Sequence, residues 1–194
     1  MELKELLRQE KRNAFLKANG GLALPAAGFL YWLALGIAGL YLSPRMWFPV
    51  AAFTSGLIFP LGLLLAKPLK SDIMNKSALT DLLLPAFISM LMFWPLAFAG
   101  AQTNLSFVPL AIGVGMGIHW PVIGWVYGRW LYLGHAVVRT VGATALWYAF
   151  PDARFVMVPL FVSGVYLITV FVIKAEVKRV QAQGALQTVS QPVV

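Results

Sequence analysis

Long apolar stretches, each close to the length of a membrane-crossing helix, alternate along most of this chain with short clusters of charged and turn-forming residues. A helix needs about 20 apolar residues to cross a hydrocarbon layer of roughly 30 Å. Six such stretches occur, at about 22–42, 46–66, 79–100, 106–128, 129–150 and 154–174. The alternating strands of about ten residues that a closed barrel requires are absent. Only helices and closed barrels satisfy their own backbone in lipid. The pattern therefore predicts an all-α, polytopic membrane protein, a bundle of six transmembrane helices over 20–174. Ahead of it, residues 1–19 are helix formers with Leu3, Leu7, Ala14 and Ala18 near one face, interrupted by Glu10 and Lys11. They predict a short interfacial amphipathic helix. Residues 175–194 read as a cytoplasmic tail, weakly patterned after Arg179 and expected to be mobile.

Composition agrees with this pattern. Of the 194 residues, 60% are hydrophobic and 11% charged, too little polar surface to cover a water-soluble globule. The absence of cysteine excludes a disulfide scaffold and thiol chemistry. The first apolar stretch is too long for the core of a secretory signal, and no small-residue cleavage site follows it before Pro44-Arg45.

The net charge of +8 is explained by where the basic residues fall. With six spans, the termini and the even-numbered loops share one side, and that side carries twelve of the 15 Lys and Arg residues. The opposite side carries only Arg45 and Arg154, and Arg139 lies inside a span. Basic residues of short loops mark the cytoplasmic side, so both termini are expected there. The location this implies is an inner (plasma) membrane, with the lipid bilayer as partner, anionic headgroups facing the basic loops, and no nucleic acid.

A weak internal repeat appears at an offset of 60 to 61 residues. It pairs Leu24-Pro25-Ala26 with Leu84-Pro85-Ala86, Gly56 with Gly117, and Phe59-Pro60 with Trp120-Pro121. Read as a parallel duplication, it relates spans 1 and 2 to spans 3 and 4. Pro60 and Pro121 each remove one backbone hydrogen bond four residues after a glycine, so Gly56, Pro60, Gly117 and Pro121 are expected hinge positions. Gly113, Gly115 and Gly117 do not have nucleotide-loop spacing. Gly113 to Gly117 and Gly124 to Gly128 fit small-x-x-x-small packing, which makes span 4 the expected central helix and a possible seam of a homo-oligomer.

Charged side chains at membrane depth are costly and mark function or pairing. Arg139 lies ten residues beyond Arg129, about 15 Å into the layer. His135 precedes it by four on the same helical face, and His119 sits at similar depth in span 4. With Asp81, Trp120, Tyr127, Tyr132, Thr140 and Thr144, these residues are expected to form one polar, ligand-binding cluster. Arg139 would contact an anion, His119 and His135 would act as proton-sensitive partners, and Trp120 would be a pocket wall. The competing structural expectation is that Arg139 snorkels or pairs with Asp81 or a carbonyl, that each His joins two helices, and that Asp81 caps a helix. No metalloprotease, serine-hydrolase or thiol template is present, and two His and one Asp specify no metal by their spacing. No lysine lies between Lys76 and Lys174 to form a retinal Schiff base. No cofactor is expected.

Ser55-Gly56-Leu57-Ile58-Phe59-Pro60, Asn75 before span 3, and Gly117-Ile118-His119-Trp120-Pro121 followed by Trp125-Val126-Tyr127 give the chain a family likeness. It resembles an uncharacterised family of small bacterial multi-spanning membrane proteins, a domain of unknown function. The resemblance implies no activity, but it draws His119 and Pro121 forward as candidates. The expectation is a membrane protein that binds or passes a small anionic solute, an ion or a proton through a polar site on spans 4 and 5. The alternative is a structural or accessory membrane subunit, such as the substrate-binding component of an energy-coupled importer. An enzyme has the weakest support.

Overall fold

Proline and glycine decide where the apolar stretches remain single helices and where they break. The computed structural model describes residues 2–189, all of them in helices, turns and loops with no strand. The helices are α1 (Leu3–Lys17), α2 (Ala23–Ala38), α3 (Pro44–Ser55), α4 (Ile58–Ala66), α5 (Leu83–Leu91), α6 (Trp94–Thr103), α7 (Val108–Gly115), α8 (Trp120–Tyr127), α9 (Leu131–Ala149) and α10 (Arg154–Val189). The second, third and fourth apolar stretches are each divided in two. Their second halves, α4, α6 and α8, carry Pro60, Pro95 and Pro121 in the first turn, where a missing N–H is tolerated. Pro49 and Pro159, by contrast, lie inside α3 and α10 without ending them.

Four helical stretches are long and apolar enough to cross a membrane: Asn19–Ala38, Thr80–Thr103, Leu105–Tyr127 and Pro151–Gln183. The pair α3 and α4, bent by 45°, makes a fifth. The sixth expected segment is α9, which has 19 residues. It is less apolar than the others because it carries His135, Arg139, Thr140 and Thr144. The last helix runs unbroken past position 174 to Val189, and residues 190–194 lie outside the described ones.

The core is built on α2 and α10, which pack most extensively on each other, with α9 beside α10 and the broken pair α7 and α8 against α9. Trp32, Val158, Val162 and Ile112 are fully buried here. Span 4 is therefore not alone at the centre: Asn19–Ala38 and Leu105–Tyr127 are buried to the same degree, whereas Thr80–Thr103 is only 11% buried. Side-chain hydrogen bonds fasten α3 to α2, from Tyr31 Oη to the Ala51 carbonyl (2.8 Å) and from Trp47 Nε1 to the Leu35 carbonyl (3.0 Å). The N-terminal helix α1 buries Ala14, Phe15 and Ala18 against the bundle, while Leu3 is exposed. The span 4 glycines meet neighbours of their own chain: a Cβ on Gly113 would touch Val158, one on Gly115 would strike Phe93, and one on Gly124 would approach Tyr132.

The expected duplication has a structural counterpart in its second half only. The chain breaks just after Gly56 and around Gly117, the positions that the offset pairs. The first halves differ, since α2 is continuous while α5 and α6 are separated at Met92-Phe93.

The turn between α1 and α2 depends on backbone in the left-handed region, with Gly20 at φ +65° and Gly21 at φ +63°. A Cβ on Gly20 would also collide with Ile173 of α10. A Gly20→Ala protein is expected to lose about 1–2 kcal/mol from the backbone alone, with the clash added. Gly134→Ala in α9, where a new Cβ meets nothing within 4 Å, is expected to be neutral or slightly stabilising. Thermal unfolding of the two purified variants checks the contrast; equal midpoints would remove this turn from the determinants of the fold.

Candidate functional site

The break between α7 and α8 releases two carbonyls. Gly117 N–H donates to the Val114 carbonyl (2.8 Å) and Trp120 N–H to the Gly117 carbonyl (3.2 Å), each one residue short of the α-helical partner. The carbonyls of Gly113 and Met116 are thereby left without their helical donors. Arg139 of α9 supplies both, Nε to the Gly113 oxygen at 2.7 Å and Nη1 to the Met116 oxygen at 3.2 Å. Nη1 also donates to the Tyr166 hydroxyl of α10 at 3.1 Å. A Cβ at position 117 would lie 3.3 Å from Arg139 Cδ and Nε and 3.1 Å from the Val114 carbonyl. Glycine at 117 is what allows the guanidinium to lie against the break.

Arg139 is completely buried. It has no carboxylate partner among the described residues; the ion pairs there are Arg8–Glu5, Arg129–Glu176 and Arg179–Glu176. Carbonyl dipoles, the Tyr166 hydroxyl and two aromatic faces take the place of an anion. The guanidinium carbon lies 5.1 Å from the Trp32 ring centroid and 5.4 Å from that of Tyr166, within cation–π range. Nη2 has no hydrogen-bond partner. Of the roles expected for Arg139, the structure displays carbonyl pairing and neither snorkelling nor a bond to Asp81. Asp81 is exposed in the short 3-10 turn before α5 and does not join the cluster.

The other expected residues do come together. Trp120 stacks on His135 with centroids 3.7 Å apart, and its centroid lies 5.8 Å from that of His119 and 5.9 Å from that of Tyr132. His135 Nδ1 is 2.7 Å from Thr169 Oγ1, and that hydroxyl donates its one hydrogen to the Val165 carbonyl (2.7 Å). Thr169 must then accept, so Nδ1 of His135 carries a proton and donates it. His135 thus joins α9 to α10, as the structural expectation held. His119 packs its ring on Phe87 of α5 at 4.9 Å. Four further nitrogens in this region are buried without a partner: Trp32 Nε1, His119 Nδ1, Trp120 Nε1 and His135 Nε2. Thr144 is turned to its own helix, donating to the Thr140 carbonyl at 2.7 Å.

Beside this polar layer lies a cavity of about 420 Å³. Its walls come from the start of α2, the Ser55–Phe59 break, α5, and His119, Trp120, Ile123 and Tyr127 of α8, with Met116, Tyr132 and Tyr166 behind. Gly56 borders this cavity and Gly117 lies under Arg139, so the two expected hinge glycines stand where helices are interrupted next to the site. A smaller groove of about 210 Å³ between α9 and α10 includes His135 and Thr169.

The sequence pattern did not point to Tyr166, Thr169 and Trp32, because the partners it offered lay on spans 3, 4 and 5 and none on spans 1 and 6. A signal existed for two of them: Ser163, Tyr166 and Thr169 recur every three residues in an otherwise apolar stretch, placing polar groups on one side of a helix. Phe87 and the α5 wall carried no such mark.

The family of unknown function DUF7010 matches residues 7–176, and the chain belongs to it. No curated protein and no solved structure matches the chain.

Replacing Arg139 by Met leaves the Gly113 and Met116 carbonyls unpaired in an apolar interior, at about 1–3 kcal/mol for each. A stability loss of a few kcal/mol is expected, read as a lower thermal midpoint of the purified protein. Arg139→Lys should recover only part of it, since an ammonium lacks the planar fork that reaches both oxygens. An Arg139→Met protein as stable as the wild type would show that this clamp does not hold the break.

Proposed function

We propose that this member of DUF7010 is a six-span integral protein of the bacterial inner membrane that binds a small molecule in the cavity beside the polar layer of spans 4 and 5. The observation that carries the reading is the cavity wall itself. His119 and Trp120 line it, and each has a buried ring nitrogen with no partner in the protein. Those two nitrogens are sealed behind the wall, so the reading rests on the cavity's volume and on the His119 and Trp120 rings that border it. An apolar pocket with a few polar side chains on its wall is the usual form of a small-molecule site. His119 and Trp120 would contact the ligand; Arg139 and His135 would act from behind, setting the field and the position of Trp120. Passage of the ligand through the protein is a further step that this reading does not require.

For topology, α9 is counted as the sixth span because its polar side chains Arg139 and His135 are buried against neighbouring helices and not on the outer face. The basic bias then places both termini in the cytoplasm. The chain has no native cysteine, so single-cysteine labelling applies to it directly. Lys4→Cys and Lys178→Cys are expected to react with an impermeant maleimide only after the cytoplasmic face is opened, and Arg45→Cys in intact cells; the reverse pattern would refute the orientation.

The binding reading is tested by native mass spectrometry of the protein purified in mild detergent. A retained small-molecule mass is expected on the wild type and is expected to be lost in Ile123→Trp, which fills the cavity. Identical masses and thermal midpoints for the two proteins would overturn it.

One observation favours the accessory-subunit reading as a second possibility. The Thr80–Thr103 segment is 11% buried, against 50–56% for the other three long apolar segments, and so offers an apolar surface to another subunit. That reading calls for a stable hetero-complex on extraction, and a lone monodisperse species counts against it.

A further inference from the structure

Three of the apolar stretches are interrupted, and all three interruptions open on the same space. Ser55 and Gly56 at the α3–α4 break, Leu91 and Trp94 on either side of the α5–α6 break, and Met116 and His119 at the α7–α8 break all line the cavity of about 420 Å³. The segments around it are not held alike. Arg139 clamps the α7–α8 break, and Tyr31 and Trp47 fasten α3 to α2. In α6, Ala97 is fully buried, the Phe98 ring lies 5.1 Å from that of Phe48 in α3, and Phe107 sits so close over Gly100 that a Cβ there would strike it. Only α5 has no buried residue among those described.

What α5 lacks in packing on its outer face it also lacks on its inner one. Leu84, Phe87, Ile88 and Leu91 line the cavity, and Leu84 and Ile88 are 67% and 50% exposed, so the inward face borders space more than side chains. The fastenings of α5 lie beyond its ends. Leu79 before it is buried, and Phe93 after it occupies the notch left by Gly115, where a Cβ would strike the ring. Between each anchor and the helix lies a joint with 3-10 bonds. Leu82 N–H donates to the Leu79 carbonyl (3.2 Å) at one, and Met92 and Phe93 N–H donate to the Ser89 and Met90 carbonyls (3.2 and 3.3 Å) at the other. Pro95 has no N–H to offer the Leu91 carbonyl, so that oxygen has no helical donor across the second joint. Between the joints, α5 meets the polar wall through Phe87, whose ring centroid lies 4.9 Å from that of His119. A segment with few buried apolar contacts belongs to the least stable part of a fold, from which lids and moving elements are drawn.

We propose that α5 is a mobile strap across the cavity. Between its two joints it moves as a unit, and Phe87 seated on His119 is the latch that holds it closed. Seated, the strap covers His119 from the outer side; lifted, it opens the cavity to the hydrocarbon beside it. This builds on the binding reading above and adds how access to the cavity is controlled. The movement needs no ligand, so it can fail its test while a retained mass that Ile123→Trp displaces still upholds binding.

The test uses the full-length protein in nanodiscs of phosphatidylcholine and phosphatidylglycerol, spin-labelled in pairs at introduced cysteines, which the cysteine-free chain permits. Val137→Cys on α9 is paired with Ile88→Cys on α5 or with Leu96→Cys on α6, all three at exposed positions. Double electron–electron resonance is expected to give two distance populations for the pair at 88 and 137, and one for the pair at 96 and 137. Phe87→Ala removes the latch and is expected to shift the ratio of the two populations severalfold. In a separate single-cysteine protein, it is expected to speed the reaction of Met116→Cys, behind the strap, with N-ethylmaleimide severalfold. The comparison of the two pairs with Phe87 in place carries the test even where Phe87→Ala lowers stability. A single population at 88 and 137 as narrow as that at 96 and 137 overturns the proposal. Equal breadth for both pairs also overturns it, because the whole segment and not α5 then moves. A population ratio and a Met116→Cys rate that are both indifferent to Phe87→Ala remove Phe87 as the latch.

Discussion

A guanidinium removed from water with no carboxylate beside it has to be met by dipoles, and here the dipoles come from a helix interrupted at the right place. Arg139 is completely buried and bonded to the Gly113 and Met116 carbonyls and to Tyr166. Those carbonyls are free because the chain tightens over Gly117 to Trp120 before Pro121. The break and the charge therefore require each other. Without the break, Arg139 would keep only the Tyr166 hydroxyl as an acceptor; without Arg139, the break would leave unpaired oxygens in an apolar interior. The three helices that meet at this point are α7, α9 and α10, so the constraint also fixes how the broken span sits against the two continuous ones.

The polar layer beside that clamp follows from it. The turn that ends α7 brings His119 and Trp120 to the start of α8, and Trp120 then stacks on His135 of α9, whose Nδ1–H is taken by Thr169 of α10. Each bond ties a different pair of helices. The result is a rigid wall on one side of the cavity, made of aromatic rings and held from behind by Arg139. The opposite wall is of another kind. It belongs to α5, in the least buried of the four long apolar segments, and residues that line the cavity there are also half or more exposed.

The glycines show how local sequence cues can point to the right positions for a different reason. Gly113 with Gly117 and Gly124 with Gly128 have small-x-x-x-small spacing, and in this chain a Cβ on them would meet Val158, Arg139, Tyr132 and Lys11 respectively. Gly56 and Gly117, paired by the weak repeat, both lie where a helix is interrupted. The repeat does not extend to the first spans, where α2 must stay continuous to pack along α10.

Much of the architecture was legible in the chain because it follows from local physics. Apolar length sets which segments are long enough to cross a bilayer, prolines in a first turn set where they divide, and His135 and Arg139, four residues apart in span 5, mark the face that turns inward. The all-helical class, the break near Pro121 and the burial of Arg139, His135 and His119 all come from such one-dimensional patterns. What those patterns left open is which groups meet across helices. Asp81 was as good a candidate partner for Arg139 as any carbonyl, and only the packing of α7 against α9 decided for Gly113 and Met116. Tyr166, Thr169 and Trp32 join the site because α10 and α2 lie against it, and the cavity exists because α4 and α5 are held by different helices. Spacing along a chain fixes the face on which a side chain stands, but not the neighbour that this face meets.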